Sequence, residues 1–586
     1  MKLHFAQAMI ALTALSVMAP RADAMAGDPY ANEIAAQHDK RMEWWRDAKF
    51  GMLIHWGVYA VSAGSHDGKA IDGLGEWIMS QGRIPVASYR AYAKDFNPVN
   101  YDPAGWAELA KAAGMRYLVI TAKHHDGFAL FPTATSQWNV VDATPWKKDL
   151  IAPMAQAARA RGLKFGLCYS QSQDWINPGG AKSGYRDGDG WDAAHKGSFD
   201  QYLDTIAVPQ VREILTRYQP DLLWWESPHL MTPERAVKFA ALLQLRPGII
   251  HNNRLGGGYK GDTETSQQRI PATGDAGHDW ETCMTLNDTW GFKRDDHHWK
   301  SSAELIRNLV DIVSKGGNYL LNIGPTASGE IPLESVKLLK EVGAWMKVNG
   351  ESIYGTHASP FRNLAWGRCT TKAAGGETVL YLHVLDWPRD GKLTLPGLTN
   401  TVKSAVMLDG GAQLAVAKSA NGPVLVLPTT APDAVCSTIK LRIQGPPQIA
   451  GTLIAADQDG VIRLWSGDAS YESSQVPAQH QGGKSNISSW TNPQDVVSWK
   501  MRVDKAGSYV VQVDAAAPAA GAVLLVQGVG KLAYAVPQTA AADAFKVTKV
   551  GEVVLAKGAQ ITLTLRPVVD GWQPVKIRKV ELLPKP

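Results

Sequence analysis

Between about residues 45 and 350, short runs of β-branched and aromatic residues alternate with longer stretches whose apolar positions recur every three to four residues. The runs occupy 50–55, 117–122, 164–169, 221–225, 248–253 and 319–323, with a weaker one before Glu281. The longer stretches, 103–113, 150–161, 202–218, 233–245, 303–315 and 333–349, carry the spacing of amphipathic helices. Such alternation predicts parallel strands with helical crossovers, and close to eight units predict a (β/α)8-type TIM barrel. Past Tyr354 the helical spacing stops, and 356–445 reads as short strands broken by Gly, Pro and Asn turns, a small β-sandwich. Gly445-Pro446-Pro447 marks a linker, and 446–586 alternates again with period two, as in 507–513, which predicts a second, C-terminal β-sandwich domain.

The first 24 residues stand apart from this plan. Lys2 precedes a largely apolar stretch over 5–20, and Ala22-Asp23-Ala24 supplies the small-x-small pattern that a signal peptidase cuts. The expectation is a signal peptide over 1–24, export to the periplasm or the medium, and a catalytic barrel over 25–355. The apolar stretch is shorter than the ~20 residues that cross a bilayer, so no membrane span is expected after signal removal.

Composition changes this picture little. Of 586 residues, 45% are hydrophobic and 20% charged, ordinary for a globular chain of several domains. The formal charge of +5 is spread over 60 basic and 55 acidic residues without a long run of one sign, which argues against a nucleic-acid partner. Cys168, Cys283, Cys369 and Cys436 lie far apart without C-x-x-C spacing. A Cys369 to Cys436 bridge and buried free thiols are both compatible with that spacing.

The chemically useful residues collect at the C-terminal ends of the predicted strands, where a barrel of this kind gathers its active site. His55 closes the first strand, His124 and His125 the second, Tyr169 the third, Glu226 the fourth and Arg254 the fifth, while Glu281 lies near the sixth. Neighbouring residues on a strand face opposite ways, so His124 and His125 are poorly arranged to chelate one metal ion, and neutral imidazoles suit the hydroxyls of a sugar. The same parity puts Trp224 and Glu226 on one face and Trp225 on the other. An indole beside a carboxylate suits a glycosidase subsite, with an apolar platform next to a group that stabilises positive charge at the anomeric carbon.

Several segments follow one another in a specific order: Trp44-Trp45-Arg46-Asp47-Ala48-Lys49-Phe50-Gly51, His55-Trp56-Gly57, Gly75-Glu76-Trp77, 123–128, Asn252-Asn253-Arg254, Trp280-Glu281-Thr282-Cys283, Trp290-Gly291-Phe292 and 316–325. Over about 40–355 they closely resemble glycoside hydrolase family 29, the α-L-fucosidases. The resemblance implies a retaining exo-glycosidase that needs neither cofactor nor metal and removes terminal α-L-fucose from oligosaccharides or glycoconjugates by double displacement. It also implies that His55, Glu76, Trp77, His124, His125, Tyr169, Trp224 and Arg254 line the fucose pocket. Glu281 matches the usual acid/base position, and Glu76 is read as a hydroxyl ligand able to influence proton transfer.

One departure bears on mechanism. The family usually carries Asp as nucleophile after the Leu-Trp-x run, whereas Leu223-Trp224-Trp225 is followed here by Glu226. A reacting group misplaced by about 1 Å can lose on the order of a hundredfold in rate. A catalytically impaired glycan-binding protein is therefore one alternative expectation, and an α-L-galactosidase of the same fold is another, because the two sugars differ only by a hydroxyl at C6. The catalytic pair expected from the resemblance is Glu226 with Glu281, about 5 to 5.5 Å apart. Residues 446–586 resemble, more weakly, sandwich modules appended to glycan-degrading enzymes, in which Trp490 and Trp499 serve either as sugar platforms or as core.

Overall fold

Eight parallel strands make up the barrel: β1 (Phe50–Ile54), β2 (Tyr117–Lys123), β3 (Lys164–Tyr169), β4 (Leu222–Trp225), β5 (Ile250–His251), β6 (Glu264–Gln267), β7 (Trp280–Thr285) and β8 (Asn318–Ile323). They are ordered β5-β4-β3-β2-β1-β8-β7-β6 in a computed structural model that describes residues 27–585 apart from 184–189, 272–277, 362–363, 365, 420, 451–452, 457–458, 473–477, 482–483 and 542–543. The two edges meet through a parallel bridge from Asn252 to Thr263, with the Asn253 N–H donating to the Thr263 carbonyl at 3.0 Å, and the sheet closes. The signal segment expected over 1–24 lies outside the described residues.

Two strands differ from the sequence reading. β6 reads Glu-Thr-Ser-Gln, with no apolar residue to announce it. The strand expected before Glu281 instead begins at Trp280 and carries Glu281 as its second residue. Helices α2 (Pro103–Ala112), α3 (Ile151–Ala160), α4 (Val208–Tyr218), α5 (Pro233–Ala240), α6 (Ser302–Ser314) and α7 (Leu333–Asn349) surround the barrel, preceded by α1 (Ala35–Ala48). The stretch expected as one helix over 202–218 turns π-helical at Leu203–Ala207, just before Pro209, which has no N–H for a regular helical bond.

Strand parity sorts the core. Leu53, Tyr117, Val119, Cys168, Leu222, Trp224, Cys283 and Leu320 point inward and form one cluster with Trp45 of α1. Their neighbours Met52, Leu118, Leu167, Tyr169, Leu223, Trp225 and Leu321 point outward and pack in the larger cluster with the helices.

After the barrel, a four-stranded antiparallel sheet (Gly367–Ala374, Glu377–Val384, Ser437–Gln444, Val402–Met407) shares its core with a three-stranded one. Cys369 and Cys436 are buried free thiols, as are Cys168 and Cys283, so of the two sequence readings the free thiols hold. Arg368 binds Asp311 of α6 at 2.5 Å and the Trp345 indole of α7 donates to the Cys436 carbonyl at 2.9 Å, tying this sandwich to the barrel.

The C-terminal segment forms two further antiparallel sheets around a separate core. In Val496–Arg502 the alternate residues Val497, Trp499 and Met501 point into it, and Trp490 joins them with no exposed surface. Both Trp490 and Trp499 are therefore core residues, which removes them as sugar platforms. One edge strand of this segment, Ala478–Gln481, pairs antiparallel with Ile270–Pro271, just beyond β6, at Gln479 with Pro271 and His480 with Ile270.

Candidate active site

The mouth of the barrel gathers His55, His124 and Glu226, whose side-chain donor atoms lie within 4.8 Å of one another. Each follows a strand: His55 follows β1, His124 follows β2 and Glu226 follows β4. Glu226 is half-buried, and the Cys168 thiol donates to its Oε2 at 3.1 Å.

The imidazoles are held in defined states. Asn322 of β8 gives its Nδ2 to the Trp290 carbonyl at 2.7 Å, which turns its Oδ1 toward His55 Nδ1, also at 2.7 Å. His55 therefore carries its proton on Nδ1 and presents the Nε2 lone pair. Ser170 donates to the Gln173 carbonyl and accepts from His125 Nδ1 at 2.6 Å, fixing the second ring in the same way. Burial pushes the pKa of His55 down and those of His124 and His125 well down, so these rings are neutral hydrogen-bonding groups. His125 packs edge-on against Trp77 with ring centres 5.1 Å apart, and lies 5.4 Å from Trp175.

The loop carrying both histidines is anchored from below. Lys123 pairs with Asp174 at 3.0 Å in full burial and donates to the Tyr202 hydroxyl at 2.8 Å. Gly127 has φ +69°, and a Cβ there would collide with the Asp174 carboxylate, so only glycine closes this turn.

Glu76 enters from the short turn Gly75–Trp77. Its Oε2 accepts the backbone N–H of Trp290 at 3.2 Å and of Gly291 at 2.9 Å, while Oε1 is buried without a protein partner among the described residues. Burial raises the Glu76 pKa to about 7, opposed by the backbone donors and assisted by the charge of Glu226. Arg254 stacks over Trp224 at 4.8 Å and donates to Gln267 Oε1 at 3.0 Å.

Two expected pocket residues do not line the mouth. Tyr169 has the outward parity of β3, and its hydroxyl donates to Gln210 of α4 at 2.8 Å, so the inward residue is its neighbour Cys168. Trp224 does point inward, with Trp225 against Phe239 of α5 on the other side, but Trp224 is buried under Arg254 rather than exposed as a platform.

Glu281 is four residues, about 13 Å of extended chain, before the last residue of β7. It accepts from Trp224 Nε1 at 3.1 Å and from the hydroxyl of Tyr117, the first residue of β2. The Trp224 indole thus sits between the mouth and a floor formed by Glu281, Tyr117 and Trp45. Gly51 makes that floor possible, since a Cβ there would run into the Tyr117 ring. Glu226 and Glu281 do not face one another across the mouth. The strand-end rule failed here because the start of β7, not its end, carries the carboxylate.

Sequence reasoning missed Cys168, Asn322, Ser170 and Gln267. Asn322 falls within the 316–325 motif and shares inward parity with Leu320, a usable signal. Cys168 offers no such signal, since nothing in its spacing from the other cysteines marks it as more than a buried thiol.

Fold and mouth together have the features of a barrel glycoside hydrolase: a carboxylate stands among neutral imidazoles that can accept hydrogen bonds from hydroxyls. The "Alpha-L-fucosidase" family model matches residues 17–351. The α-L-fucosidase of Branchiostoma floridae is 32% identical over 66% of this chain and 88% of its own length, and the human tissue α-L-fucosidase 31% over 68% and 88%. Among solved structures, the α-L-fucosidase of Vibrio sp. strain EJY3 superposes with a TM-score of 0.78 at 27% identity, covering 93% of this chain and 98% of that one. A Bacteroides thetaiotaomicron GH29 α-L-fucosidase trapped as a covalent intermediate with 2-fluoro-fucosyl fluoride gives 0.62 at 28%, covering 70% and 97%. The chain belongs to the α-L-fucosidase family, glycoside hydrolase family 29. These relatives favour neither the galactosidase nor the lectin alternative.

Proposed function

We propose that the protein hydrolyses terminal α-L-fucosides with retention of configuration, Glu226 attacking the anomeric carbon and Glu76 handing a proton to the leaving oxygen. The observation that carries this is the convergence of Glu226 with two neutral imidazoles at the barrel mouth. His55, His124 and His125 offer lone pairs to sugar hydroxyls, Trp77 borders the histidines, and Arg254 lies over Trp224, two residues before the nucleophile in the chain. Glu76 combines a raised pKa with an unshared Oε1, so near neutral pH it holds a proton that it can give and later retrieve from water. Glu281 is assigned to the barrel floor instead. The natural substrate is read as a fucosylated oligosaccharide or glycoconjugate outside the cytoplasm, on the strength of the leader pattern in 1–24. Among the described residues no helix is long and apolar enough to cross a membrane. The division 25–355, 356–445 and 446–586 is supported by three successive hydrophobic cores. Proton NMR of the sugar first released from 4-nitrophenyl α-L-fucoside tests the mechanism. The α-anomer is expected, and the β-anomer would show inversion and overturn the assignment.

A further inference from the structure

We propose that Cys168 is the positioning residue that allows a glutamate to act as nucleophile here, its S–H donating to Glu226 Oε2 and its small side chain leaving room for the longer carboxylate. The proposal rests on Glu226 being the nucleophile. Cys168 has inward parity on β3, stands opposite Trp224 in register, and so meets the side chain two residues beyond Trp224. The Sγ to Oε2 distance is 3.1 Å. An ionised carboxylate only accepts hydrogen bonds, which makes the thiol the donor, and burial together with the charge of Glu226 pushes the thiol pKa well up and keeps that proton on sulfur. Glutamate brings one more methylene than the family's usual aspartate, and a bulky residue at 168 would compete for the same inward space between β3 and β4.

Oε2 is thereby fixed, and the orientation of the other oxygen follows. The charged and titratable groups around Glu226 are His55 and His124 from the ends of β1 and β2, Cys168 from β3, Arg254 beyond β5, Cys283 from β7, and Glu76 from the 75–77 turn. Of these, Cys168 is the one whose removal takes a hydrogen bond from the carboxylate without removing a sugar-facing imidazole or a charge.

The test uses the full chain with 4-nitrophenyl α-L-fucoside. For Cys168→Ala, kcat is expected to fall about tenfold, the low end for a bond to a charged acceptor because thiols are weak donors. KM should barely change, so the loss falls on kcat. Cys168→Ser, which keeps a donor, should recover most of kcat. In a Glu226→Asp background, where the shorter side chain withdraws from the thiol, Cys168→Ala should cost almost nothing more. A silent Cys168→Ala, or equal additional loss in both backgrounds, overturns the proposal. Azide is expected to rescue Glu226→Gly as a β-L-fucosyl azide. If it does not and Glu226→Gln still turns over, the nucleophile assignment itself falls. If rescue occurs and Cys168→Ala is silent, only the role of Cys168 falls.

Discussion

The barrel has a carboxylate at each end of its interior, and their surroundings are opposite. At the mouth, Glu226 is half-buried, follows the last residue of β4, and stands among lone pairs and a weak thiol donor. At the floor, Glu281 is sealed in, sits at the start of β7, and has an oxygen committed to each of Tyr117 and Trp224. Both point inward by strand parity. Position along the strand separates them: a parallel barrel opens for chemistry at one end and closes for packing at the other. A motif that marks a family thus identifies a residue without saying which end it serves.

The largest expected effect falls on the mouth. Glu226→Gln should lower kcat on an aryl α-L-fucoside by on the order of a thousandfold or more, because losing the proposed nucleophile removes the covalent route. Fucose binding should remain detectable by calorimetry. Glu281→Gln, carrying the same chemical change at the floor, should alter kcat only severalfold. If the two variants exchanged these outcomes, the comparison would break.

Glu76 sharpens it next. Glu76→Gln should cost about a hundredfold with a poor leaving group, within the usual range for general acid catalysis, and far less with 2,4-dinitrophenyl fucoside, which needs no proton. Since the group is raised to about 7, its acid form is present below that pH and is lost above it. The wild-type basic limb in kcat/KM should therefore fall near pH 7 and disappear in Glu76→Gln. Equal losses on both substrates would reduce Glu76 to a hydroxyl ligand.

The sequence was informative where periodicity is strong. Six of the eight barrel strands announced themselves as apolar runs, and parity correctly separated Trp224 from Trp225. It failed where that signal is absent: the polar β6 could not be seen, and without it the register of the following strand, and with it Glu281, was placed at the wrong end. Tyr169 shows a second limit. A strand's last residue is easily named, but inward or outward depends on parity relative to the barrel, and in β3 that parity chose Cys168. Likewise the indoles of Trp490 and Trp499 read equally well as platform or core until the sheets around them were closed.

The smallest catalytic effect, at the floor, should come with a measurable stability signature. Burial raises the Glu281 pKa to about 7 from an ordinary 4.5, against the opposing hydrogen bonds from Tyr117 and Trp224. An acid whose folded pKa is raised binds its proton more tightly folded than unfolded, so folding is favoured while the group is neutral. The share of Glu281 is therefore fully present below about pH 4.5 and is lost as pH rises to about 7, a difference on the order of 3 kcal/mol. Glu76 and Asp126, also raised to about 7, add slopes of the same sign. Chemical denaturation across pH 4.5 to 7 should show stability falling in the wild type and falling less steeply in Glu281→Gln, which cannot ionise. Glu281→Leu should instead destabilise at every pH by about 1 to 3 kcal/mol for each donor left buried without an acceptor. An unchanged slope in Glu281→Gln would mean that the floor carboxylate is hydrated, and the contrast between the two ends would then rest on catalysis alone.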